Sequence, residues 1–265
     1  DKKSGTWHTQ QQNYTVVDLP GTYSIYPKSP EEKVVIDYLS STEKPDVVVV
    51  VIDQTNLRRN LLLLSQIADL KLSKLQGKEL SYNNYNDIFS CLRLVKTLPK
   101  NKGVAIVKHS NPTGVSIEKN HLKSFQAAMN CDPVSAFGGV VSCNFKLDFE
   151  TAKEILKNYY EIVIANGFDK KVLELFKNKK NLRLIDSSKI TFNNNKKLVS
   201  GIDSFLLQTN DSKIFDKKNF KIVSKAKPSK MLMEQIIFSF NVCRSVKSNG
   251  IVISQNNKTS GIGSG

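Results

Sequence analysis

The 265-residue chain, 40% hydrophobic with a formal net charge of +15, is long enough for one large domain or two modest ones with a real core. Its longest apolar run, Val47 to Ile52, is far too short to span a bilayer, no signal-peptide pattern is visible, and the four cysteines (Cys91, Cys131, Cys143, Cys243) lack metal-ligand spacing. Reduced thiols in a cytosolic protein are expected, with no metal and no membrane segment.

The charge is uneven. Residues 1–72 carry eight Lys/Arg against nine Asp/Glu, and the remainder carries 31 against 15. This break suggests two parts. A basic surface attracts anionic ligands or nucleic acid. The lysines are dispersed without interleaved aromatics, so no nucleic-acid partner is expected and a solvated lysine-rich surface is the simpler reading.

In chain order, Tyr14 to Val17 reads as a short strand ending at Asp18, and Pro20-Gly21 forces a turn after it. Ser29-Pro30-Glu31-Glu32 is a helix start, with Ser at the cap and Pro at the first position, and the helix is expected to reach about Leu39. Val47–Ile52 has the continuous β-branched composition of a buried parallel strand, and Asn56 to Leu70 is helical with Leu61, Leu64, Ile67 and Ala68 on one face. Strand–helix–strand–helix makes this an α/β piece.

Tyr85 to Leu98 is a further helix, with Ile88, Leu92 and Val95 facing inward. Gly103–Val107 is a buried strand that delivers Lys108 and His109 to its carboxyl end, the edge where open α/β sheets gather ligands. Helices over Leu122–Met129, Glu150–Asn158 and Lys171–Lys177 alternate with strands over Val140–Cys143, Ile162–Ala165 and Leu182–Ile185. Asn193–Lys197 is a polar loop. Pro228-Ser229 opens a long helix to about Lys247 with Ile236, Ile237, Phe240 and Cys243 on its core face. Gly250–Ser254 is a strand, followed by a hairpin-like turn at Asn256-Asn257-Lys258. The chain opens without Met and stops in Gly261-Ile262-Gly263-Ser264-Gly265, which reads as a glycine turn cut midway, so a fragment is expected.

Two motifs carry chemistry. Asp18-Leu19-Pro20-Gly21 has the Asp-x-x-Gly form of a GTPase switch, in which the Asp sits near Mg²⁺ and the glycine offers its N–H to a phosphate, although Asp-x-Pro-Gly is also an ordinary turn. In Lys108-His109 each residue disfavours the other's positive charge, so a neutral imidazole can act as a base near pH 7. The plain alternative is a strand-end histidine that hydrogen-bonds to backbone. His8 and His121 have no comparable context and are expected at the surface. Ser135-Ala136-Phe137-Gly138-Gly139 is a turn at which backbone approaches a ligand closely, or simply the start of a strand. In Ser248-Asn249-Gly250 the asparagine caps a helix or reads a polar ligand with its amide.

Asp18–Ile25, Pro45-Asp46-Val47 and Asp53-Gln54-Thr55-Asn56-Leu57-Arg58-Arg59-Asn60-Leu61, in that order, resemble the G domain of ferrous iron transport protein B over residues 1–71. The resemblance implies that Asp18 and Gly21 are remnant switch residues. The phosphate-binding G-x-x-x-x-G-K-[ST] loop and the Asn-Lys-x-Asp motif are both missing, so neither GTP nor Mg²⁺ is expected to bind.

Gln76–Asn84, Val107–Val115, Asp132–Gly139, Ile164–Phe168, Lys179–Arg183 and Val246–Asn249 occur in the order found in another family. Over residues 74–265 the chain resembles the formyltransferase domain of the bifunctional purine biosynthesis protein, AICAR formyltransferase joined to IMP cyclohydrolase. The fold implied is a cytidine-deaminase-like α/β/α unit following the truncated GTPase-like piece. The activity implied is transfer of a formyl group from 10-formyltetrahydrofolate to AICAR in purine biosynthesis. His109 would be the base and Lys108 the stabiliser of developing negative charge. Gly138, Glu161 and Asn249 would contact AICAR, and Phe137 and Val134 would shape the pocket wall. The family is cytoplasmic and works as a homodimer. Its cyclohydrolase domain, an Arg-Tyr-Gly-x-Asn-Pro-His-Gln segment and the half of the domain after the glycine turn are not in this sequence, so an incomplete fragment is expected. The alternatives are a GTP-binding regulatory fragment of an iron transporter and a non-catalytic orphan fragment. Two unrelated families meeting near Leu72 also suggest a mis-joined reading frame.

Overall fold

The computed structural model describes residues 2–9, 12–22, 27, 29–41, 45–51, 72–190, 196–200, 205–209, 211 and 213–265. Contacts divide the chain into two compact units: Asp1–Leu72 with Glu79–Ser81, and Ser73–Lys78 with Tyr82–Gly265.

In the first unit, β1 (Lys3–His8) and β2 (Asn13–Asp18) form an antiparallel hairpin that sets Trp7 opposite Tyr14, their rings 5.6 Å apart. The strand expected at Tyr14–Val17 lies inside β2, while its partner β1 lacks the alternation that would have marked it. Helix α1 (Pro30–Ser40) starts as its sequence dictates. The Ser29 hydroxyl accepts the Glu32 N–H at 3.2 Å, Pro30 fills the first turn, and Val35 and Leu39 are buried one turn apart.

The run at Val47 departs from expectation. Residues 47–51 form no strand, and Val47, Val49 and Val51 are largely exposed. A β-branched run becomes a buried strand only where neighbours pair its backbone and cover both faces. Among the described residues no strand pairs with it. The helix expected at Asn56–Leu70 lies outside the described residues.

The second unit is built on one mixed sheet. Its strands are β3 (Lys74–Gln76), β4 (Gly103–Lys108), β5 (Asn111–Ile117), β6 (Val140–Cys143), β7 (Ile162–Ala165), β8 (Arg183–Asp186), β11 (Gly250–Gln255) and β12 (Lys258–Ser264). A separate hairpin joins β9 (Lys196–Ser200) to β10 (Phe205–Thr209). The sheet order is β11-β12-β5-β4-β6-β7-β8-β3, with β6, β7 and β8 parallel and the other pairs antiparallel.

Helix α2 (Tyr82–Lys96) packs on β4 and β6. Helices α3 (His121–Met129), α5 (Phe149–Ile155) and α6 (Lys170–Phe176) pack side by side, and Val104, Ile106, Val141, Cys143, Val163 and Leu184 of the sheet join one core with Phe125, Ala152 and Phe176. The alternate sheet residues, Ala105, Val107, Val140, Ile162, Ile164 and Ile185, are buried too, and strand alternation puts them on the opposite face. Both faces are therefore covered, which is why these strands read as unbroken apolar runs. The α/β class follows, with element ends within a few residues of expectation.

Strand β5 was hidden in the sequence by Pro112 and Gly114. Pro112 sits where the β4–β5 register shifts, a place where a missing N–H is tolerated. A Cβ on Gly114 would run into the Ala128 carbonyl, so only glycine lets α3 lie this close to β5. The polar segment expected at Asn193–Lys197 is partly corrected, since Lys196 and Lys197 begin β9.

Helix α7 (Lys230–Cys243) stops four residues before the expected Lys247. Its buried residues are Met233, Phe238, Asn241 and Val242, while Ile236 and Phe240 of the expected core face are exposed. The helix is apolar on more than one side, so its periodicity does not select the covered one; Ser239 and Cys243 meet β11, and the Asn241 amide holds the Phe215 backbone.

Candidate functional site

Lys108 ends β4 and pairs with Asn111, the first residue of β5, leaving His109 and Ser110 as a two-residue turn. Both have positive φ, +53° and +62°, the type I′ pattern that suits the twist of a hairpin. Histidine is one of the few side chains enriched in this region. His109 is exposed at the tip.

The turn is held from two sides. From α2 the Asp87 carboxylate accepts the Ser110 N–H at 2.6 Å and faces its hydroxyl at 3.4 Å. From the segment after α7, the Lys247 ammonium donates to the His109 carbonyl at 3.0 Å, and the Lys247 N–H donates to the Asn111 side-chain oxygen at 2.9 Å.

The neighbouring strand supplies the rest. Helix α4 (Pro133–Ala136), capped by Asp132 accepting the Ser135 N–H, leads into a turn at Phe137-Gly138. The Lys108 ammonium donates to the Phe137 carbonyl at 2.6 Å. Gly138, at φ +73°, donates its N–H to Tyr159 O at 2.8 Å, and a Cβ there would stand 3.9 Å from the Lys108 ammonium. The rings of Phe137 and Tyr159 lie 5.3 Å apart. Glu161, just before β7, is tied to Gly139 through its N–H and to Arg183 through its carbonyl, both at 3.1 Å. Its carboxylate accepts the Asn84 amide at 2.9 Å and faces the Arg183 guanidinium at 3.8 Å.

The structure thus gathers Lys108, Phe137 and Gly138 in contact, joins Glu161 to them through Gly139, and ties the His109 turn to Lys247, while Asn249, two residues on, is exposed and accepts the Gly265 N–H with its carbonyl. Val134 is exposed on α4. Asp18 ends β2, and Gly21 is exposed with open space around it. Both belong to the first unit.

The location differs from expectation in one respect. Strand β4 runs antiparallel to β6, with Val107 opposite Val140, and Val140, Ile162 and Arg183 are the first residues of β6, β7 and β8. The Lys108-His109 end therefore coincides with the amino-terminal ends of the parallel strands, not with their carboxyl edge. Strand orientation is a property of the pairing and is not written in a strand's composition.

His121 also differs from expectation. It is half-buried, stacks flat on Phe145 at 3.7 Å, and presents one ring nitrogen to Asp148 at 2.9 Å and the other to the Asn101 carbonyl at 3.1 Å. His8 is exposed, beside Asn13. Burial pushes the Asp148 carboxyl up, but the Thr151 N–H and hydroxyl and the His121 ring outweigh it and hold the group below the usual carboxylate range. Burial raises the Cys91 and Cys143 thiols well above the usual range. Two apolar hollows of about 400 and 510 Å³ lie along α7, lined in part by Leu232, Met233, Ile236 and Val252, and neither includes a residue of the Lys108-His109 cluster. Among the described residues no three His, Cys, Asp or Glu side chains converge as a metal site, and no helix is long and apolar enough to cross a membrane.

Residues missed in the sequence are Asn84, Asp87, Tyr159, Arg183 and Lys247. All but Tyr159 fall in or beside stretches that carry the family resemblance, but nothing local shows which would meet.

Residues 58–265 match the family model described as AICARFT/IMPCHase bienzyme, and residues 1–78 match that of ferrous iron transport protein B. The chain is 41% identical over 211 residues to the bifunctional purine biosynthesis protein PurH of Aquifex aeolicus, covering 78% of this chain and 41% of that protein. It is 41% identical over 197 residues to PurH of Leptospira biflexa, covering 72% and 37%, and 41% identical over 198 residues to PurH of Buchnera aphidicola, covering 73% and 37%. The chain spans about two fifths of the length of these relatives.

Proposed function

The chain belongs to the AICARFT/IMPCHase bienzyme family, and from that membership we propose that residues 74–265 carry the first part of a formyltransferase site. This site transfers the formyl group of 10-formyltetrahydrofolate to the 5-amino group of AICAR in purine biosynthesis. Residues 1–71 are a G-domain-like segment outside that chemistry. The observation that carries the reading is that Lys108, whose ammonium donates to the Phe137 carbonyl beside Gly138, is followed directly by the exposed two-residue turn that bears His109.

The amine of AICAR is a poor nucleophile because its lone pair is delocalised into the imidazole and carboxamide. As its nitrogen bonds to the formyl carbon, the C=O electron pair moves onto oxygen, and His109 takes the proton that the amine sheds. The Lys108 ammonium has three donors. One is spent on Phe137 O, which fixes its direction, and the others can meet the oxyanion. Collapse of the adduct then breaks the bond to the folate nitrogen, which leaves with a proton as tetrahydrofolate. Gly138, Glu161 and Asn249 contact AICAR, with Phe137 and Val134 as the pocket wall. Glu161 reaches the substrate with its carboxylate already oriented by Asn84 and Arg183. A homodimer, as in the family, completes the assembly.

The test is folate-dependent formylation of AICAR by this chain and by a version extended to the full length of its relatives. Turnover lost on His109→Ala supports the reading, and an extended version that binds AICAR without turning over rejects it. A second reading, nucleotide binding by the first 71 residues, is favoured by the match to ferrous iron transport protein B. A fluorescent GTP analogue is expected to show no binding, because the phosphate loop is missing.

A further inference from the structure

The His109 carbonyl and the Ser110 N–H belong to one peptide group, the central peptide of the type I′ turn. Its N–H end meets the Asp87 carboxylate at 2.6 Å, and its C=O end meets the Lys247 ammonium at 3.0 Å. A negative charge at the positive end of the peptide dipole and a positive charge at its negative end hold it in one sense. Rotating that peptide by half a turn is what converts a type I′ turn into type II′, and it would take Ser110 out of the positive-φ region it now occupies at +62°. The two anchors come from distant places in the chain, 23 and 138 residues away. Lys247 also fastens its own backbone to Asn111 and stands two residues before Asn249.

We propose that Asp87 and Lys247 are positioning residues that lock this peptide and so fix the direction of the His109 imidazole relative to Asn249. The assignment rests on the formyl-transfer reading above. Without the clamp, two non-glycine residues in the left-handed region would be free to relax, and the imidazole at the tip would sample more than one direction.

The chain has three histidines, so ring C–H NMR signals can be assigned by single substitution. In the full 265-residue chain, the His109 signal is expected to be single and to move when AICAR is added. In Lys247→Met and Asp87→Ala it should broaden or double, and apparent AICAR affinity should fall roughly tenfold. Lys247→Arg and Asp87→Asn, which restore a donor and an acceptor, should recover most of both readouts. The His121 signal, packed on Phe145, reports whether the fold survives. If Asp87→Ala unfolds, Lys247→Met decides. A single His109 signal with unchanged affinity in Lys247→Met overturns the proposal. If AICAR leaves the wild-type signal unmoved both in this chain and in the version extended to the full length of its relatives, the formyl-transfer reading fails instead, and the line shapes without ligand judge the clamp: doubled in Lys247→Met and single in Lys247→Arg upholds it, and identical spectra reject it.

Discussion

Single residues decide the chemistry. The formyl-transfer proposal makes His109 the general base, and removing such a base costs about 10²- to 10⁴-fold in rate, so His109→Ala should abolish measurable formylation by the extended version while AICAR binding, read by calorimetry, changes little. Lys108→Met should slow turnover by roughly 10²-fold or more, the scale of one lost oxyanion donor. Gly138 sits at φ +73° with ordinary space where a methyl group would stand, the nearest neighbour 3.6 Å away, so Gly138→Ala is penalised by backbone conformation more than by crowding. Chemical denaturation should register a loss of about 1–2 kcal/mol. Thiols behave differently from one another. Cys91 and Cys143 are buried with raised pKa values, so the reactive thiolate is scarce there. A thiol reagent should leave both untouched in the native protein and reach them only on unfolding. His109 could be picked out because Lys-His ends an apolar run. Asp87 and Lys247 could not, since a carboxylate and an ammonium that meet one peptide from 23 and 138 residues away leave no local pattern.

At the scale of elements, caps and faces carry the consequences. Asp148 caps α5 and also meets His121 at the start of α3. Its folded-state pKa lies below the unfolded value, so its contribution to stability is full above an ordinary aspartate pKa of about 3.9 and is lost as pH falls through the lower folded value. Asp148→Asn should therefore lower stability near neutrality and flatten the acid limb of a stability-against-pH curve, and an unchanged limb would show that the cap is not the titrating group. Within α7, Phe238→Ala should cost about 3–5 kcal/mol, while Ile236→Ala should cost no more than about 1 kcal/mol, measured by thermal unfolding. The reverse order would restore the face that periodicity suggested. Helix starts were legible because a cap is a local device: Ser29 with Pro30, and Ser229 before Lys230. Strand β5 was not, because Pro112 and Gly114 read as a turn until the bulge and the close approach of α3 give each a place in the sheet.

Across the whole molecule, a composition break near residue 72 falls inside the overlap of two family matches, residues 1–78 and 58–265. A chain beginning at Ser73 should keep the eight-stranded sheet, including β3 at its edge, and should show by circular dichroism a mixed α/β spectrum and cooperative melting. Loss of cooperativity would show that the first 72 residues are needed to fold the rest. The α/β class, the strands Gly103–Val107, Val140–Cys143 and Ile162–Ala165, and the adjacency of Lys108 and His109 were determined by the sequence alone, because apolar runs, caps and neighbouring side chains are local properties of a chain. The valine run at 47–51 looked equally strand-like and forms none, since a strand exists only with a partner. Only tertiary structure decided that β4 runs antiparallel to β6, which end of the sheet receives His109, and which distant charges hold its turn. Those are relations between segments, set by hydrogen-bond pairing and packing that no window of sequence contains.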